Sequence, residues 1–240
     1  SSLRRPPCAA PFPSTTLLRS DATSLNNSRR YRLFHDTAWS WGFGLLEPLL
    51  LGDPTMTRWV VDVGANDGLG GSNSYPFIRR GWSALLIEPH PGPFQKCRQL
   101  HAGRARVTCV NCACSDTVGE LPLYLGKDGD EGTLSTLVND NSEATRIRHG
   151  SGTIQVRVET LNEILPRHGV PEDFGFLSID TEGHDFAVLR GLNLERWQPR
   201  VIMTEDYRDN ADKFAWLEKH GYRLQQKIRS DTIWTRVRTR

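Results

Sequence analysis

The chain reads as a doubly wound α/β domain whose sheet ends in an antiparallel hairpin, and three stretches carry that reading. Trp59-Val-Val-Asp-Val63 is an apolar strand that runs directly into a turn with glycine at 64, 68, 70 and 71. Trp82-Ser-Ala-Leu-Leu-Ile-Glu88 is a second, ending on a carboxylate about 20 positions beyond that turn. Phe174-Gly-Phe-Leu-Ser-Ile179 is a third, with Asp180-Thr-Glu-Gly-His-Asp185 packed into its exit. Strands of this kind alternating with helical segments imply a mostly parallel sheet covered on both faces, with ligands at the carboxyl ends of the strands.

Composition bounds the rest. With 240 residues and 38% hydrophobic content the chain supports one α/β domain with a substantial core. The net charge of +2 is unevenly placed, because residues 1–32 hold six Arg against one Asp and the remainder is slightly acidic. That balance gives no electrostatic case for nucleic acid, and no stretch reaches the roughly 18 apolar residues of a membrane span. The expectation is a cytoplasmic protein with no nucleic-acid or membrane partner. Five cysteines, an odd number, argue against a disulfide framework. Cys109, Cys112 and Cys114 lie close together but lack a second ligand pair, so zinc is not expected and in-sheet cysteines read as small buried hydrophobes.

Taken in order, residues 1–32 are rich in Pro, Ser, Thr, Asn and Arg and read as a disordered extension, leaving 33–240 as a single domain. Trp39, Trp41, Phe43 and the run Leu45–Leu51 before Gly52-Asp-Pro54 suggest one or two short helices, with the tryptophans in the core rather than in a pocket. Ser72-Asn-Ser74 offers N-caps for a helix over Tyr75–Arg80, with Pro76 tolerated in its first turn. Gly92–Ala102 reads as a helix with Phe94, Cys97 and Leu100 on one face, and Ala105–Asn111 as the third strand. Val118–Leu125 alternates like a strand. The charged, polar tract 127–152 interrupts the alternation and reads as a lid or recognition insertion. Ile154–Val158 reads as an edge strand, and Thr160 with Glu163 as a capping box opening a short helix. Pro199–Glu205 is a further strand, Ala211–His220 a helix, and Tyr222–Lys227 with Thr232–Arg238 a hairpin around Arg229-Ser-Asp231.

The chemistry follows from charge. A phosphate-bearing ligand wants a turn free of carboxylates, or one with an added Lys, whereas Asp62 and Asp67 flank this turn, no Lys follows, and the spacing is not G-x-G-x-x-G. Two carboxylates favour a cationic ligand carrying adenosine without phosphate, and S-adenosylmethionine fits. Glu88 is placed to accept from ribose hydroxyls, and Ala113, Ser115 and Asp116, after the third strand, to meet the adenine; Asp116 reads equally well as a turn residue. Asp180, Glu182 and His184 bring carboxylates and an imidazole beside the cofactor. Methyl transfer to a hydroxyl needs a proton removed, and His184, its pKa raised by carboxylate neighbours, suits that task or hydrogen bonding to the acceptor. A competing reading gives Asp180 and Glu182 to a divalent cation, and a plainer one makes Glu182 and Asp185 the acidic first turn of a helix over Asp185–Leu192. Glu205 and Asp206 read as solvated loop charges rather than substrate contacts.

Val61-Asp-Val-Gly-Ala-Asn-Asp-Gly68, Leu86-Ile-Glu-Pro89 and Ser178-Ile-Asp-Thr-Glu-Gly-His-Asp185 with Leu189-Arg-Gly191 together resemble the FkbM family of S-adenosylmethionine-dependent methyltransferases, over roughly residues 58–207. The resemblance implies a class I methyltransferase (Rossmann-like) fold with a seven-stranded mixed sheet. It implies O-methylation of a small hydroxylated acceptor such as a sugar, a polyketide or a related molecule. It also implies that Asp62, Gly64 and Asn66–Gly68 hold the methionine end, with Ala65 in the same turn, that Glu88 holds the ribose, and that Asp180–His184 face the reaction centre. No bound metal is expected. The alternatives are an NAD-dependent oxidoreductase, disfavoured by Asp67 and the turn spacing, and a non-catalytic module using 127–152 as a partner surface.

Overall fold

The computed structural model describes residues 46–126, 134–138, 149–206 and 210–237. Ten strands occur among them: β1 (Thr57–Val63), β2 (Ser83–Ile87), β3 (Val107–Val110), β4 (Ala113–Cys114), β5 (Gly119–Gly126), β6 (His149–Glu159), β7 (Phe174–Ile179), β8 (Val201–Glu205), β9 (Tyr222–Ile228) and β10 (Asp231–Arg236). Seven of them form one sheet in the order β3-β2-β1-β7-β8-β10-β9. The first five of that order run parallel, and β10 pairs antiparallel with both β8 and β9. The expected doubly wound architecture with a terminal hairpin is therefore present.

The unbroken apolar runs explain the sheet. All six residues of β7 are buried, as a central parallel strand covered on both faces requires. Alternate residues of β1 feed two cores. Val61 and Val63 pack with Leu85, Leu177, Ile202 and Trp234 on one face. Val60 packs with Phe77, Trp82, Phe176 and Ile233 on the other. Each fully buried large apolar side chain contributes roughly 2–3 kcal/mol of transfer free energy.

A second sheet, in the order β4-β6-β5, corrects one expectation. β6 is its central strand and not an edge. It pairs antiparallel with β5 from Gly119↔Val158 to Gly126↔His149, and parallel with β4 on its other side. This pairing extends the strand back to His149, five residues before the alternation begins. Thr136 adds a bridge to Tyr124, so part of the tract read as an insertion is built onto this sheet. The rest of that tract (127–133 and 139–148), the N-terminal segment 1–32, and Trp39, Trp41 and Phe43 lie outside the described residues; of the helices expected before β1, 46–51 is helical.

Two expected caps are absent for identifiable reasons. Thr160 precedes the helix Leu161–Arg167 but its side chain caps nothing. The N–H of Asn162 goes to the Gly191 carbonyl and that of Glu163 to the Thr160 carbonyl, so the donors a capping hydroxyl would take are already used. Ser74 precedes the helix Tyr75–Arg79 without capping it, because its hydroxyl donates to Asp62 instead; of the serines offered as caps it is Ser72 whose Oγ accepts from the Tyr75 N–H, at 3.2 Å. In the helix Pro91–Leu100 the buried residues are Pro93 and Cys97, while Phe94 and Leu100 are half-buried. No described helix is long and apolar enough to cross a membrane.

Candidate active site at the strand exits

The carboxyl ends of β1, β2 and β7 converge on a cavity of about 230 Å³. A water molecule occupies about 30 Å³ of liquid, so this is a ligand-sized space rather than a packing defect. Its floor is the turn after β1. Gly64 lies at φ 85°, and a Cβ there would sit 1.8 Å from the Asp180 carbonyl oxygen. The turn therefore lies directly against the exit of β7, and only glycine permits it. The N–H groups of Gly64 and Ala65 both donate to the Ile87 carbonyl, which ties the turn to β2. Asn66 takes a left-handed backbone at φ 49°.

Of the residues expected to hold a cofactor, Asp62, Gly64, Ala65, Asn66, Glu88 and Ala113 line the cavity. Asp62 is buried and accepts from Ser74 Oγ at 2.6 Å and, more weakly, from Ser72 Oγ at 3.4 Å; burial outweighs these hydrogen bonds and raises its pKa. Glu88 is buried and accepts from the N–H groups of Asn66 (2.9 Å) and His90 (2.7 Å). Burial nevertheless pushes its carboxyl up to about 7.

Asp67, Gly68, Ser115 and Asp116 are not among the lining residues. Asp67 Oδ1 accepts from the N–H groups of Leu69 (2.8 Å) and Gly70 (2.6 Å), bracing the turn from behind. Gly68 backs onto the side chains of Cys97 and His101. Asp116 is held by Arg190, whose Nη2 and Nε donate to Oδ2 at 2.7 and 2.9 Å. Ser115 Oγ lies 2.9 Å from His184 Nε2.

Asp180, Glu182 and His184 come together in the cavity wall. Asp180 is exposed and lines the cavity. Carboxylate oxygens of Asp180, Glu182 and Glu205 lie within 4.8 Å of one another, close enough for one cation to bridge them. In the protein alone, desolvation and then repulsion from Glu205, Asp185 and Glu182 hold the Asp180 carboxyl well above its ordinary range. Glu182 adopts φ 52°, an uncommon backbone for a residue with a side chain, held by Thr136 Oγ1 donating to its carbonyl at 3.0 Å.

Three expectations about this end of the sheet need correction. His184 has its pKa lowered, because burial outweighs the attraction of Asp116 and Arg190 adds to the lowering. Asp185 does stand in the first turn of its helix, but Glu182 lies before that helix, and Asp185 is buried and accepts from Thr181 Oγ1 (2.8 Å) and the Glu205 N–H (2.9 Å). Its helix is Asp185–Arg190. Asp206 is likewise buried, 3.1 Å from Lys213 Nζ, and Glu205 belongs to the carboxylate cluster.

The cavity's other wall comes partly from the tract read as a lid or recognition insertion and partly from residues the sequence reading gave no role in the site. Leu123 of β5 and Thr136 and Leu137 beside it line the space, as do Cys112 and Cys114, and Ser72 and Asn73 complete the turn side. The alternating leucines at 121, 123 and 125 signal an apolar face in need of cover, but not what it covers.

The chain is similar to known proteins in sequence and in fold. The chain is 26% identical over 197 residues to the methyltransferase sdnD of Sordaria araneosa, covering 68% of this chain and 73% of that protein. Among solved structures it is similar to the METTL16 MTase domain (TM-score 0.45, 12% identity), with 81% of this chain and 66% of that one covered, just under two thirds. It is also similar to the precorrin-6y C5,15-methyltransferase of Geobacter metallireducens GS-15 (TM-score 0.42, 13% identity, 80% and 84% covered). The model of the methyltransferase FkbM domain matches residues 62–224, from within β1 into β9, and the chain is a methyltransferase belonging to the FkbM family.

Proposed function

We propose that the protein transfers a methyl group from S-adenosylmethionine to a hydroxyl oxygen of a small acceptor of the sugar or polyketide type. The observation that carries this reading is the pairing of a carboxylate-lined cavity at the exits of β1, β2 and β7 with an imidazole, His184, whose surroundings keep it neutral. The residues suit that co-substrate. Gly64 brings backbone rather than side chain to the cavity floor, Glu88 offers acceptors of the kind ribose hydroxyls need, and Asp62 and Asp180 offer carboxyls whose raised pKa a bound ammonium and sulfonium would lower again, favouring the charged form. When bound, the co-substrate supplies a methyl carbon whose bond to sulfur breaks toward sulfur as the acceptor oxygen bonds to it. His184 takes the hydroxyl proton, and being unprotonated near neutral pH it is ready to do so. The apolar wall of Leu123 and Leu137 excludes water and packs against the carbon skeleton of the acceptor.

The test is incubation with methyl-labelled S-adenosylmethionine and a panel of hydroxylated, amine and carbon-nucleophile acceptors. Label recovered as an ether on a hydroxylated acceptor is the expected result. Transfer confined to amines or carbon would overturn the assignment of the acceptor atom.

A further inference from the structure

Ser115 and Asp116 stand outside the cavity yet form a chain with the imidazole in its wall. Arg190 donates twice to Asp116 Oδ2, at 2.9 and 2.7 Å. Ser115 Oγ lies 3.2 Å from Asp116 Oδ1 and 2.9 Å from His184 Nε2. Gly191 makes the packing possible, since a Cβ there would lie 2.1 Å from the Ser115 carbonyl oxygen.

Proton counting fixes the direction of this chain. The Arg190 guanidinium holds Asp116 well within its ionised form, and a carboxylate only accepts. The single hydroxyl proton of Ser115 therefore goes to Asp116. Toward His184 the serine oxygen has only lone pairs to offer, so Nε2 must carry the hydrogen. Nδ1 is then the nitrogen with the free lone pair, and among the described residues none hydrogen-bonds it.

Resting on the reading of His184 as the proton acceptor, we propose that Ser115 and Asp116 are positioning residues that lock His184 in its Nε2–H tautomer, making Nδ1 the atom that receives the acceptor's proton. The sequence spacing gave both residues to the adenine; the geometry gives them to the imidazole. Asp116 acts at one remove, by claiming the serine proton and leaving Ser115 able only to accept.

The experiment is nitrogen NMR of the full chain labelled at histidine, with His184 assigned by its loss in His184→Gln, recorded above about pH 8 where the imidazole is neutral. The wild type is expected to show His184 almost wholly as Nε2–H. In Ser115→Ala the Nδ1–H form rises about tenfold. In Asp116→Ala it rises further, because the freed serine hydroxyl now donates to Nε2. A structural role alone would not produce that order. Unchanged tautomer ratios in both variants, or a wild type dominated by Nδ1–H, would overturn the proposal.

Titration of the same proteins with S-adenosylhomocysteine separates the two readings. Affinity within about threefold of wild type in both variants is expected. A drop of tenfold or more with the tautomer unmoved would return Ser115 and Asp116 to the cofactor. A wild type that fails to bind the probe at all would count against the proposed function, while the NMR ratios would still decide the relay.

Discussion

Glu88→Gln separates stability from binding at one residue. In the folded protein the Glu88 carboxyl is pushed from its ordinary 4.5 up to about 7 by burial, despite two backbone N–H donors. A difference of that size corresponds to about 3 kcal/mol by which the fold disfavours the charged form. Between those two values the folded state binds more protons than the unfolded one, so this residue's contribution to stability falls as pH rises through that window. Glutamine copies the neutral form at every pH. It gives up one of the two acceptors offered to Asn66 and His90, which is a penalty that does not vary with pH. Urea unfolding of both proteins from about pH 4 to about pH 8 should therefore show the variant gaining on the wild type by up to about 3 kcal/mol. If Glu88 holds the ribose as proposed, the same substitution should weaken S-adenosylmethionine binding by roughly tenfold to a hundredfold, about 1–3 kcal/mol. A stability gap that stays constant across the pH range would refute the claim that burial holds this carboxyl high.

Other consequences are as specific. Asp67→Asn keeps an oxygen for the Leu69 and Gly70 N–H groups and should leave cofactor affinity within about threefold, whereas Asp67→Ala should loosen the turn and cost about 1–2 kcal/mol of stability. Equal loss of affinity in both would mean that the charge acts on the ligand. Gly64→Ala should destabilise by roughly 3 kcal/mol or more in thermal melts, since its Cβ collides with the Asp180 carbonyl and its φ is left-handed. A variant as stable as wild type would show that the turn does not lie against β7 as described.

How much was legible in the sequence depended on whether a residue's partner was local. β7 was readable to the residue, because six consecutive buried positions leave a continuous apolar signature. The Gly turn and Glu88 were readable because strand, turn and acidic strand end follow one another along the chain. The second sheet was not, since β5 and β6 meet across a polar tract and nothing in their alternation says that β6 takes partners on both sides. Asp67 was misleading for a local reason. A carboxylate in a glycine turn can face a ligand or its own backbone, and Asp67-Gly-Leu-Gly70 is equally a turn-forming sequence. Ser115 and Asp116 sit where the adenine was expected, but beyond β4 the Ser115 N–H continues the ladder to Glu159 and the chain leaves the cavity for the helix Asp185–Arg190. The lowered pKa of His184 was not predictable from neighbours in sequence, because the carboxylates beside it matter less than its burial.

The cavity's assignment is tested most directly by isothermal titration of the wild type and Glu88→Ala with S-adenosylmethionine, and separately with NAD. One-site binding near the micromolar range that NAD does not reproduce, and that weakens at least tenfold in Glu88→Ala, is the expected result. Absence of binding, or binding indifferent to Glu88, would contradict it.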